Sequence, residues 1–105
     1  MLSTFEVRAF RPLANYSLAA TNATGRVNIS TNGGRQVRLY NSGTVIIFVK
    51  FGDSTVNAAT TDTPIPPGAV EVLTYDRLLS GANNYVAGIT AAGSGTLYIT
   101  VGEGL

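Results

Sequence analysis

Few residues in this chain could do chemistry, and their types narrow what that chemistry could be. Histidine and cysteine are both absent from the 105 residues. Their absence removes Ser-His-Asp and Cys-His nucleophilic arrangements, the usual imidazole and thiolate zinc sites, and every disulfide. The six carboxylates, Glu6, Asp53, Asp62, Glu71, Asp76 and Glu103, are scattered. Only Asp53 and Asp62 share a connecting segment, where a meeting of the two is the minimum for a weak Ca²⁺ site or a glycosidase pair. The simpler expectation is that each accepts hydrogen bonds from nearby backbone N–H groups within its own turn. Gly93-Ser94-Gly95 and Gly102-Glu103-Gly104 look like fragments of phosphate loops. They lack the Lys-Ser/Thr and the following helix that would complete an anion site. Asn15-Tyr16-Ser17, Asn22-Ala23-Thr24 and Asn28-Ile29-Ser30 match the glycosylation triplet, as chance allows in a chain so rich in Asn, Ser and Thr. No catalytic residue, cofactor or metal ligand is expected, and the chain is not expected to be an enzyme.

What remains is recognition. Only 12% of residues are charged while 45% are hydrophobic, with a mean hydropathy of +0.21. An average soluble domain carries about 25% charged residues. A small domain has much surface for its volume, so this surface must be built from hydroxyls, amides and apolar atoms. Such surfaces tend to be covered by a partner. The charges are also segregated: up to Tyr40, five arginines (8, 11, 26, 35 and 38) face Glu6 alone, whereas beyond it Lys50 and Arg77 face five carboxylates. That asymmetry suits oriented docking or head-to-tail association. Dispersed arginines and a pI near 8.1 do not suit nucleic acid. The strongly apolar run Val45–Val49 is far short of the roughly 20 residues of a membrane helix. Glu6 and Arg8 interrupt the first residues where a secretory signal would be apolar. A soluble protein made in the cytoplasm, binding neither membrane nor nucleic acid, is the expectation.

The elements that must position any such surface are strands. Gly and Pro recur too often for helices, β-branched residues dominate the apolar segments, and turn signals cut the chain at strand-like spacing. An all-β antiparallel sandwich, or a small barrel, of roughly seven or eight short strands fits residues 1–105 as one domain. The expected strands are Phe5–Phe10, Tyr16–Ala20, Gly25–Ser30, Gln36–Tyr40, Thr44–Phe51, Ala69–Tyr75, Tyr85–Thr90 and Thr96–Val101. Pro12 confines the first to an edge or an end. Residues 1–13 form a candidate arm or edge strand. Thr31-Asn32-Gly33-Gly34 marks a turn, and Pro67-Gly68 fits the central pair of a type II turn. Residues 52–67 read as a long loop. Residues 76–84 read as loop, or at most one helical turn around Arg77-Leu78-Leu79.

Two hairpins are expected, one through Ala92–Gly95 and one through Asn41-Ser42-Gly43. With Gly43 left-handed in a bulged three-residue loop, Tyr40 pairs with Thr44, Leu39 with Val45 and Arg38 with Ile46. Val37, Leu39, Val45, Ile47, Val49 and Phe51 then form a core face. Gln36, Arg38, Tyr40, Ile46, Phe48 and Lys50 form the other. A two-residue loop would slip the register and regroup them, but leaves Gly43 without a reason. Arg38, Tyr40, Ile46 and Phe48 are therefore the candidate partner-contact residues, unless a covering loop such as 52–67 buries Ile46 and Phe48. Tyr40, Tyr75, Tyr85 and Tyr98 on expected strands leave a second possibility, an aromatic platform for sugars.

From Val37 onward a longer likeness is visible. It rests on Leu39-Tyr40-Asn41-Ser42-Gly43 with Phe48-Val49-Lys50-Phe51-Gly52-Asp53, then Thr63-Pro64-Ile65-Pro66-Pro67-Gly68. Tyr85-Val86-Ala87-Gly88-Ile89 and Gly95-Thr96-Leu97-Tyr98-Ile99-Thr100-Val101-Gly102-Glu103-Gly104 complete it. In order and spacing these resemble a family of short tailed-bacteriophage virion proteins of the capsid decoration or cement kind. The resemblance implies a jelly-roll-like sandwich on the phage head surface, often homo-oligomeric, whose partners are the major capsid protein and itself. A receptor- or glycan-binding module of a head fibre or tail is the alternative. The N-terminal third lies outside the likeness.

Overall fold

The computed structural model describes residues 10–29, 36–74 and 84–103. The expected strand Phe5–Phe10 (except Phe10), the turn Thr31–Gly34 and the segment around Arg77–Leu79 lie outside these residues. Among the described residues there is no helix. Eight strands run in order: β1 (Arg11–Ala20), β2 (Gly25–Asn28), β3 (Gln36–Asn41), β4 (Ile47–Gly52), β5 (Thr63–Ile65), β6 (Val70–Thr74), β7 (Tyr85–Ile89) and β8 (Gly95–Glu103).

The strands form two four-stranded antiparallel sheets, one ordered β1-β8-β3-β6 and the other β2-β7-β4-β5. Within these orders β1 pairs with β8, β2 with β7, β3 with β6 and β4 with β5. The chain is therefore one long antiparallel ribbon, doubled at residues 53–62 and rolled so that alternate pairs fall in opposite sheets. That winding is a jelly roll.

Its core follows from period-two alternation, in which every second side chain of a strand faces the opposite sheet. From the first sheet Leu18, Ala20, Val37, Leu39, Leu97, Ile99 and Val101 point inward. Ile47, Val49, Ile65 and Val86 meet them from the second. Gly88 lies on that inner face, where a Cβ would come within 2.8 Å of a Leu18 methyl and 3.4 Å of an Ile47 methyl. Its missing side chain lets the sheets approach.

The winding overturns both expected hairpins. β3 and β4 belong to different sheets, as do β7 and β8, so residues 42–46 and 90–94 are crossovers spanning the sandwich. Tyr40 pairs with Val70 and Tyr98, not Thr44, and Arg38 with Val72 and Thr100, not Ile46. Most of the expected core face survives, with Val37, Leu39, Ile47 and Val49 buried and Phe51 packed against them, because alternation reports which side chains meet the interior, not which strand lies alongside. Val45 instead lies in the crossover, outside that core. Asn41 secures the first crossover. Fully buried, its Nδ2 donates to the carbonyls of Val45 and Ile65, each at 2.8 Å, and its Oδ1 accepts from the Gly43 N–H at 2.9 Å.

Other expectations stand. The Ala69 N–H donates to the Pro66 carbonyl at 3.0 Å and Gly68 has φ of 76°, the geometry of a type II turn with Pro67 and Gly68 central. Pro12, expected to close the strand Phe5–Phe10, lies instead within β1, which begins at Arg11 and not at Tyr16. β1 is an edge strand with a register shift between Pro12 and Ala14. The segment 52–67 is not all loop, because Thr63–Ile65 pairs with β4 as β5, and it folds back over the second sheet. There Val56 and Ala58 bury Ala87, with Tyr85 and Ile89 half-buried beside it. Arg26 Nη1 donates to the Val56 carbonyl at 3.0 Å, and the Ala58 N–H donates to Thr24 Oγ1 at 2.8 Å.

Candidate functional site

The carboxylates of the 53–62 connection serve their own turns. Asp53 Oδ1 accepts from the Thr55 hydroxyl at 2.6 Å and the Thr55 N–H at 2.8 Å, while Asp62 Oδ2 accepts from the Ala59 N–H at 2.7 Å. The Thr55 hydroxyl, then its N–H, hold the exposed Asp53 carboxyl below the ordinary aspartate range, with a smaller contribution from Arg26. Among the described residues, no three or more Asp or Glu gather where they could hold a metal ion.

The candidate contact residues divide between two surfaces. Arg38 and Tyr40 lie on the outer face of the first sheet. There the registers align rows that cross all four strands: Val70, Tyr40, Tyr98 and Ser17, then Val72, Arg38, Thr100 and Asn15. The first row is apolar on three strands. Tyr40 stacks on Tyr98 with ring centroids 6.1 Å apart and planes 17° from parallel, the arrangement aromatic pairs favour. Val70, Val72 and Tyr98 are 45%, 49% and 48% exposed, so β6 and its neighbours carry a continuous apolar stripe into solvent. Arg38 is exposed at its margin. Thr100 donates from Oγ1 to Asn15 Oδ1 at 2.7 Å, forming the polar side of the stripe.

Ile46 and Phe48 lie elsewhere. Phe48 is on the outer face of the second sheet, in register with Pro64 and Ile89, and Ile46 lies in the crossover that precedes β4. With Thr44, Val45, Pro67, Ala91 and Ala92 they line an apolar hollow of about 340 Å³ at one end of the sandwich. The 53–62 connection covers Ala87 and leaves Ile46 43% exposed. The four residues thus do not share the face that a β3–β4 hairpin would have given them.

No protein-family model, curated protein or solved structure matches the chain.

Sequence reasoning did not select Val70 and Val72, which are about as exposed as Tyr98 on the stripe. The signal was present, since Val70, Val72 and Thr74 share one face of an alternating strand whose other face carries Glu71 and Leu73. Two valines on the outer face of an end strand have no core to fill.

Proposed function

We propose that the chain is a virion structural protein of a tailed bacteriophage that decorates or cements the head by docking across neighbouring capsid subunits. Its partners are the major capsid protein and further copies of itself, and it works on the head surface after synthesis in the host cytoplasm. One observation carries the reading. A chain with 12% charged residues exposes two separate apolar surfaces, the Val70-Val72-Tyr40-Tyr98 stripe on one sheet and the Ile46-Phe48 hollow against the other. A protein that bridges neighbours needs two contact surfaces, and aromatic or aliphatic residues at their centres supply most of the binding energy. The jelly roll supports the reading only by analogy, because the fold serves viral capsids, lectins and cupins alike.

The test is uptake of the purified chain by phage heads assembled without it. Saturation at a fixed number of copies per head is expected, with about tenfold or more weaker binding for Tyr98→Ala and for Phe48→Ser, the usual size of an interface anchor. Heads that take up no chain would overturn the proposal. The exposed Tyr40–Tyr98 stack, flanked by Thr100, Asn15 and Arg38, also favours a second reading as a glycan-binding module of a head fibre or tail. Saturable binding on a glycan array, lost in Tyr98→Ala, would select that reading instead.

A further inference from the structure

Three of the four sheet edges are blunted. β1 carries Pro12 and a register shift, β2 has four residues, and β5 has three, one of them Pro64. Short strands, prolines and bulges are the usual means of closing an edge to other chains. The fourth edge, β6, has five residues, no proline, and two exposed valines; it ends its sheet among the described residues. Glu71 is its single charge. It takes the inward register opposite Leu39 yet is exposed at the rim.

We propose that the β6 edge accepts residues 1–9 of a second copy as an added antiparallel strand, Arg8 opposite Glu71. This deepens the docking reading above, on which it rests, by naming the self-contact. The sequence Thr4-Phe5-Glu6-Val7-Arg8-Ala9 alternates with the period of a strand. With Arg8 against Glu71, Val7 falls beside Val72, Ala9 beside Val70 and Phe5 beside Thr74. Opposite charges meet on one face and the exposed stripe gains an apolar row on the other, the pairings that stabilise adjacent strands. Glu6 falls opposite Leu73 on the charged face, diagonal to Glu71, and Arg8 between them offsets that contact. Two β6 strands facing each other about a two-fold axis would leave their Glu71 carboxylates as diagonal neighbours with no cation beside them.

The donor must be another copy. The Arg11–Glu103 ion pair at 3.2 Å and the β1–β8 register hold residue 11 on the opposite edge of the same sheet. A strand added beyond β6 lies four strand spacings from β1, about 19 Å. The three peptide steps from residue 8 to residue 11 reach at most about 11 Å. Because the arm and the edge that receives it are different surfaces, the exchange closes either reciprocally between two copies or head to tail around a ring.

Sedimentation equilibrium of the full chain tests this, comparing wild type with Arg8→Glu, Glu71→Arg, the double swap and Val7→Pro. Wild type is expected to form an oligomer of discrete size. Each single charge reversal should weaken it about three- to tenfold, the double swap should restore it, and Val7→Pro should weaken it tenfold or more. A strict monomer at hundred-micromolar concentration would overturn the proposal, as would an oligomer indifferent to Arg8→Glu and Val7→Pro. Particle uptake reads the docking proposal separately: wild-type chain that binds heads while remaining monomeric in solution defeats the strand exchange alone.

Discussion

Removing the Asn41 side chain should damage the fold far more than its place in an Asn-Ser-Gly turn would suggest. It is fully buried and makes three hydrogen bonds to backbone groups of two crossing segments. Asn41→Ala strands the carbonyls of Val45 and Ile65 and the Gly43 N–H. Each buried polar group left without a partner costs about 1–3 kcal/mol. Allowing for water reaching the partly buried Val45 side, the loss is about 3–5 kcal/mol, from a total of about 5–15 kcal/mol for a domain of this size. Asn41→Asp separates the donor from the shape. The carboxylate keeps the bond from Gly43 but turns a negative oxygen toward two carbonyls, so burial and those carbonyls raise its pKa in the folded state. A group with a raised folded pKa contributes its stability below the unfolded value, near 3.9, and loses it as pH rises. Relative to wild type at the same pH, the Asn41→Asp penalty should be smallest near pH 3.5. It should grow by about 1.4 kcal/mol per pH unit until the folded pKa is passed. Urea unfolding of both variants and wild type at pH 3.5 and pH 7 measures this, with m unchanged if the unfolded state is unaffected. An Asn41→Ala loss under about 1 kcal/mol, or an Asn41→Asp penalty equal at the two pH values, would refute the reasoning.

Three further outcomes are expected. Carboxyl NMR titration should find Asp53 below the ordinary aspartate range, rising toward it in Thr55→Val. Because that pKa is depressed on folding, the turn's small stabilisation is present above the unfolded value and fades as pH falls through the folded one. Gly102→Ala should disrupt the start of β1, because a Cβ there collides with the Arg11 carbonyl and the Phe10 ring. Hydrogen exchange should report faster opening at the Arg11, Leu13 and Ala14 amides while β3 stays protected. Ile99→Ala, at a core position with no exposure, should lower unfolding free energy by about 2–5 kcal/mol, read by the urea midpoint.

Much of the fold is written in alternation, and the part that is not depends on pairing. Val37 and Leu39, Ile47 and Val49, and Leu97, Ile99 and Val101 each announce an inward face, because a half-buried strand cannot hide its period. That period is the same whether the next strand lies alongside or across the sandwich. Asn41-Ser42-Gly43 and Ala92–Gly95 have hairpin chemistry, yet both lie in crossovers, and the long-range pairs β1/β8 and β2/β7 leave no local mark. β5 was hidden by Pro64, which an edge strand tolerates. Asn41 read as a turn residue because solvation and burial call for the same amide chemistry, and the sequence does not say which applies. Arg38 and Tyr40 face away from the core as their place in the alternation implies, and so do Ile46 and Phe48. Placing the four on one surface followed from the mistaken hairpin, and the separation turns one expected contact patch into two.

The central claim is that this jelly roll works by holding protein surfaces together. Counting it against the major capsid protein in purified phage particles, by quantitative mass spectrometry with isotope-labelled peptides of both chains, tests that most directly. The account predicts a fixed stoichiometric ratio with many copies per head. Particles that contain the capsid protein but less than one copy of this chain each would contradict it.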